Sequence, residues 1–163
     1  MLEKTVSGAY AAEIFRQTLL SYFKAQDLPH FSTAVMNELI SHDDDHQGQL
    51  AMGRVWDRIV RIDEVRPIRN IGAAIFVRAA QLAGAVSCGI LRHLYGEGPV
   101  PAQSVAVDDS LLEHVRGALF MMEDAMQACQ NEGVSRDNQI PVEPVLVQDG
   151  PLVGAAIAAA MAQ

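Results

Sequence analysis

The chain has 163 residues, half of them apolar, which is enough for one domain with a core of its own. Its formal charge of -8 excludes nucleic acid and an anionic membrane surface as main partners, because both repel an acidic protein. Two cysteines, Cys88 and Cys129, each inside an apolar helical pattern, make no disulfide scaffold and fit a reducing cytoplasm.

No signal peptide is expected, since Glu3 and Lys4 precede any apolar run. The first predicted helix runs from about Ser7 to Ala25. Ala11, Ile14, Phe15, Leu19, Tyr22 and Phe23 keep helical spacing on one side, with Glu13, Arg16, Gln17 and Lys24 on the other. Pro29 stops anything longer. A short helix is expected over Thr33 to Ser41. Another starts near Asp45, carries Met52, Val55, Trp56, Ile59 and Ile62 as one stripe, and ends near Asp63 ahead of Pro67. A helix over Ile68 to Tyr95 follows, closed by the breakers Gly96 to Pro99. Within it, Ile71 to Leu91 is the nearest thing to a membrane span. Arg78 and Gln81 interrupt that stretch, and a charge at bilayer centre costs roughly 2.5–3.5 kcal/mol. Its many small residues (Ala73, Ala74, Ala79, Ala80, Gly84, Ala85) predict a helix buried among other elements.

The period then changes. Ser104 to Val107 reads as a short strand, and Ser110 with Glu113 as a capping box, in which hydroxyl and carboxylate each satisfy an orphan amide. The helix it opens carries Leu112, Val115, Leu119, Met122, Met126 and Cys129 on one face, and Asn131 to Gly133 close it. Val145 to Val147 reads as a second strand. Gly150 and Pro151 start a last helix, the proline lacking only an amide that would be orphaned anyway. This β-α-β-α order favours two parallel strands joined by a right-handed crossover. The fold class is helix-rich α/β, with five to six helices, in a single domain over 1–163 that is helical to 98 and β-α-β-α from 99.

Chemistry-bearing clusters are few. Ser41 to His46 holds two imidazoles and three carboxylates, but consecutive residues cannot all converge on one ion. The run reads as an acidic turn capping the next helix rather than a metal site. His30, His93 and His114 have no partners at triad spacing, and no Walker loop or GxGxxG is present. The two strand-to-helix turns, Val107 to Ser110 and Val147 to Pro151, place helix N-termini at the carboxyl ends of parallel strands. Such amides suit phosphate groups.

Glu3-Lys4-Thr5-Val6-Ser7-Gly8-Ala9-Tyr10, with Glu13-Ile14 and Arg16, resembles the EKMISGxYLGEIxR stretch of hexokinases and glucokinases. Phe31-Ser32-Thr33 is similar to their FxT loop, and Phe76 to Leu82 to their VSxRAAQL helix. Val105 to Ser110 is similar to VGVDGS, and Gln148 to Ala156 to EDGSGKGAA. These five blocks occur in the family's order and span nearly the whole chain. The resemblance covers the C-terminal part of that family. It implies the large, nucleotide-holding lobe of an actin-like ATPase (ribonuclease H-like) fold.

By the resemblance, Glu3 binds sugar hydroxyls, while Gly8, Thr33, Asn37 and the turn of Asp149, Gly150, Pro151 and Gly154 contact ATP with Mg2+. Four departures weaken that expectation. Ala9 stands where some members have lysine, Asp109 replaces the glycine of VDGS, Pro151 the serine of DGSG, and Val153 the lysine of GKG. Each removes a donor or adds negative charge, so no tightly bound cofactor is expected. The family's first phosphate loop, catalytic aspartate and most sugar contacts precede the position of Glu3, so no residue here is assigned a catalytic role. The implied function is the nucleotide-side part of a cytoplasmic hexokinase-like sugar kinase, with hexose and ATP as ligands once an N-terminal lobe completes it, and not active by itself. The alternative is a degenerate, non-catalytic lobe acting in assembly, as a homodimer or with a partner chain.

Overall fold

The structure, a computed structural model, describes residues 7–25, 27–30, 32–57, 59–96, 100–131, 141–150 and 160. The chain divides into two compact units, Met1–Ala79 and Ala80–Gln163. Among the described residues are six helices and a parallel two-stranded sheet, a helix-rich α/β arrangement.

The first unit opens with α1 (Gly8–Phe23). Its buried stripe is Ala11, Ala12, Phe15 and Leu19, while Tyr22, expected in the core, is 55% exposed. Lys24 ends the helix in the left-handed conformation, with the Ala25 amide reaching back to the Leu20 carbonyl. Helix α2 (Thr33–Ser41) starts from Ser32, whose hydroxyl accepts the Val35 amide at 3.3 Å, and buries Met36 and Leu39. Helix α3 (Asp45–Trp56) is capped by Asp44, as the acidic run suggested. The Asp44 carboxylate accepts the Gln47 amide at 2.9 Å, and this bond is the largest cause holding its pKa below the usual value. Asp45 is taken by Arg69 at 2.6 Å and Arg66 at 3.0 Å.

Helix α3 stops at Trp56, not near Asp63, because Asp57 turns into the left-handed region. Ile59, expected on the apolar stripe, is 93% exposed in the connection. Helix α4 (Ile62–Tyr95) then begins six residues earlier than expected and runs through Pro67. As sixth residue of the helix, this proline removes one intrahelical bond and crowds the Asp63 carbonyl, a local cost close to the helix start. Glu64 closes the start by accepting the Arg61 amide at 2.8 Å, the return half of a capping box. α4 is long and apolar enough to cross a membrane, and 33% of its most apolar window is buried. Burial follows one stripe: Val65, Ile68, Gly72 and Phe76 in the first unit, then Ala80, Gly84, Cys88 and Leu91 in the second. Ala73, Ala74 and Ala85 face outward, so the helix is buried on one side rather than all round.

In the second unit, β1 (Gln103–Val107) pairs in parallel with β2 (Val142–Leu146), Gln103 opposite Val142 and Val107 opposite Leu146. β2 starts earlier than the expected Val145 and contains Pro144, which a strand with an open edge accepts. Between the strands lie α5 (Ser110–His114) and α6 (Ala118–Gln130), not one helix. Gly117, at φ 81°, breaks the path. Met122 and Met126 carry the core of α6, which packs on β2 and α5. The rest of the helix expected from Gly150 lies outside the described residues.

Candidate functional site

The sequence-selected residues that the structure describes fall into two groups, one in each unit. In the first, the hydroxyl of Thr33, first residue of α2, donates to the carbonyl of Gly8, first residue of α1. The fold thus joins positions 25 apart in sequence. Asn37 lies one turn further along α2, and its carbonyl and Oδ1 accept the Ser41 hydroxyl at 2.6 and 3.3 Å. Gly8 is buried and the other two are half-buried. The Thr33 proton must leave the Gly8 carbonyl before it can serve any ligand oxygen.

On the next turn of α1, Glu13 holds Arg16 through two bonds at 2.7 and 2.8 Å, with Gln17 at 2.8 Å and His30 at 3.2 Å. Arg16 also donates to the Leu28 carbonyl, tying the connection after α1 to the helix. The Arg16 bonds first, and that of Gln17 second, hold the Glu13 carboxyl at about 2, against an ordinary 4.5. A depressed carboxylate contributes stability that is fully present above its unfolded value. That stability is lost as pH falls from 4.5 through about 2. Titration of Glu13 by NMR should give a midpoint near 2, and Glu13→Gln should remove that part of the acid-induced loss. A midpoint near 4.5 would show that the pair is not formed in solution.

In the second unit the two strand-to-helix turns lie side by side. The Val147 amide donates to the Val107 carbonyl at 2.9 Å, extending the strand pairing into the turns. Asp109 is the N-cap of α5, and its carboxylate accepts the amides of Leu111 at 2.8 Å and Leu112 at 3.2 Å. This replaces the expected Ser110 capping box. Glu113, which would have completed that box, accepts instead from the Gln148 side chain at 3.4 Å. Asp108 reaches across to the other turn and accepts the Gly150 amide at 2.9 Å. Asp149 sits at φ 54°, a region aspartate tolerates better than most residues. A Cβ on Gly150 would lie 3.0 Å from the Val147 side chain and 3.6 Å from the Asp108 carboxylate, so glycine suits the close approach. The amides that a phosphate would use are therefore already held by two of the protein's own carboxylates.

A family model described as Hexokinase matches residues 1–161. The chain belongs to the hexokinase family. Among solved structures, it is similar to one titled "Crystal structure of Hexokinase", with 25% identity and a TM-score of 0.71. The match covers 91% of this chain and 34% of that one, so the chain spans about a third of the hexokinase it resembles. No curated protein matches it.

Of the residues that the hexokinase resemblance selected, Gly8 contacts Thr33 directly, and Asn37 follows on the same helix. Asp149 and Gly150 stand in one turn tied to the other by Asp108. Glu3, Pro151 and Gly154 lie outside the described residues. The sequence flagged Asp109 as an added charge but not as a cap. Aspartate ranks with serine as an N-cap, so position 109 was an equally good start one residue earlier.

Proposed function

We propose that these residues form the nucleotide-side portion of a hexokinase-like sugar kinase, in an actin-like ATPase lobe. They take part in ATP-dependent hexose phosphorylation only with residues from outside this chain. The carrying observation is the match of nearly the whole chain to a third of a hexokinase. Phosphoryl transfer needs a base placed to accept the sugar hydroxyl proton. The resemblance assigns that aspartate to a region ahead of the position matched by Glu3. Glu3 would hold sugar hydroxyls, and Gly8, Thr33, Asn37 and the Asp149 to Gly154 turn would face the nucleotide.

The turns at Asp108 and Asp149 fit a phosphate poorly, because carboxylates occupy the amides of Leu111, Leu112 and Gly150. Binding of ATP with Mg2+ is accordingly weak. The protein acts in the cytoplasm and needs no metal of its own. The chain alone should give no hexose-dependent ADP release, and normal turnover in that assay would refute the reading.

A second reading is favoured by the capped turns together with apolar side chains left open in the second unit. Leu94 is 69% exposed and Phe120 64%, with Ile90, Val145 and Leu146 also exposed. It is a non-catalytic lobe that assembles with itself or a partner chain. Concentration-dependent association in sedimentation, with no response to Mg-ATP in calorimetry, would support it; a clean monomer would count against it.

A further inference from the structure

In the second unit, α4 and α6 approach each other backbone to backbone. A Cβ added at Gly84 would lie 2.4 Å from the Met122 carbonyl oxygen and 3.0 Å from the Ala125 Cβ. One turn further along both helices, Cys88 meets the same neighbour. Its Sγ is 3.9 Å from Oε1 of Gln130, the residue that follows Cys129 in α6. Another turn along, Arg92 donates to the Cys129 carbonyl. Gly84, Cys88 and Arg92 thus form one ridge of α4 with four-residue spacing, and each touches α6. Both cysteines are free; Cys88 is 1% exposed and Cys129 partly exposed.

We propose that Cys88 and Cys129 form a dithiol that closes to an intrachain disulfide under oxidising conditions, pinning α4 to α6. Bridging requires cysteine Cα atoms within about 4.4–6.8 Å of each other. Helices separated by a glycine contact can supply that approach, while helices spaced by large side chains cannot. The partner reagent is a small-molecule disulfide such as oxidised glutathione. The Cys129 thiolate attacks one of its sulfurs, forming a mixed disulfide and expelling one thiol. Cys88 then gives its proton to solvent and attacks the Cys129 sulfur, forming the protein disulfide and expelling the second thiol. Two protein thiols are oxidised and one reagent disulfide is reduced.

Burial first, and the Cys129 thiol second, push the Cys88 thiol up to about 11. The thiolate is the attacking form, so the closing step accelerates with pH. In a reducing compartment the pair rests as thiols and reports an oxidising challenge, the usual role of such pairs there. None of this depends on the kinase reading.

The test is incubation of the full chain with oxidised glutathione in native buffer, acid quenching, alkylation after unfolding, and peptide mapping by mass spectrometry. The expected product has lost two hydrogens, keeps no glutathione, and yields a linked peptide containing Cys88 and Cys129. Closure should be faster in native buffer than in urea. Cys129→Ser, at the partly exposed position, should abolish it while leaving the fold intact by circular dichroism. A persistent glutathione adduct on Cys129 with Cys88 still alkylated would overturn the proposal. Disulfide-linked dimers, or closure only in urea, would do the same.

Discussion

Replacing Gly84 by valine should lower the unfolding free energy by about 2–3 kcal/mol, the upper part of the range for overfilled cores. Glycine inside a helix ordinarily costs stability, roughly 0.5–1 kcal/mol relative to alanine. Here the sign reverses, because the new Cβ would stand 2.4 Å from the backbone oxygen of Met122. A backbone atom of α6 cannot step aside without moving the helix that carries Met122 and Met126. Gly72 is the internal control. A Cβ there meets the Cγ2 of Ile40 at 2.4 Å and the Phe15 ring at 3.4 Å, both side-chain atoms. The χ1 of Ile40 is stiff in a helix, but a side chain yields at less cost than a backbone carbonyl, and the gain in helix propensity offsets part of that cost. Denaturant unfolding of Gly84→Ala and Gly72→Ala should therefore rank Gly84→Ala as the more damaging by about 1 kcal/mol or more. Equal losses would mean that α4 and α6 are not in backbone contact in solution.

That contact marks the limit of what periodicity can reveal. The first three helices were legible because caps and apolar stripes agree: Ser32 and Asp44 stand where such residues start helices. The parallel pairing of β1 and β2 was also legible from the β-α-β order. The break at Asp57 was not. A left-handed aspartate leaves no periodic signal, and Ile59 and Ile62 extended the apparent stripe across it. Gly117 broke the next predicted helix in the same way, although glycine there was a visible cue. The small residues of α4 suggested close packing, yet only a structure shows that Gly84 supplies it while Ala85 faces outward. The dithiol was invisible for a related reason: Cys88 and Cys129 are 41 positions apart, and only the register of two helices sets Cys88 against the Cys129–Gln130 end of α6.

The candidate site divides along the same line. Blocks of local sequence located the Thr33 loop and both acidic turns, because a turn is written in adjacent residues. What the turns do with their amides is a matter of side-chain reach. Asp108 meets Gly150, which is 42 positions away, and no local pattern encodes that pairing.

The charge on those caps carries the largest expected functional effect. Asp109→Asn keeps an N-cap of equal rank for Leu111 and Leu112 but removes the negative charge. Asp109→Gly restores the residue of the family pattern and costs the helix only a few tenths of a kcal/mol. A unit charge about 4 Å from another contributes roughly 1 kcal/mol in water and more where solvent is partly excluded. Relief of that repulsion should raise affinity for Mg-ATP by about fivefold to tenfold in either variant. Calorimetric titration should thus show the wild-type chain as the weakest binder and the two variants as similar to each other. A gain in Asp109→Gly alone would assign the obstacle to occupation of the amides, since asparagine occupies them as aspartate does. No gain in either would mean that this turn has no part in holding a nucleotide, and would favour the assembly reading over the kinase one.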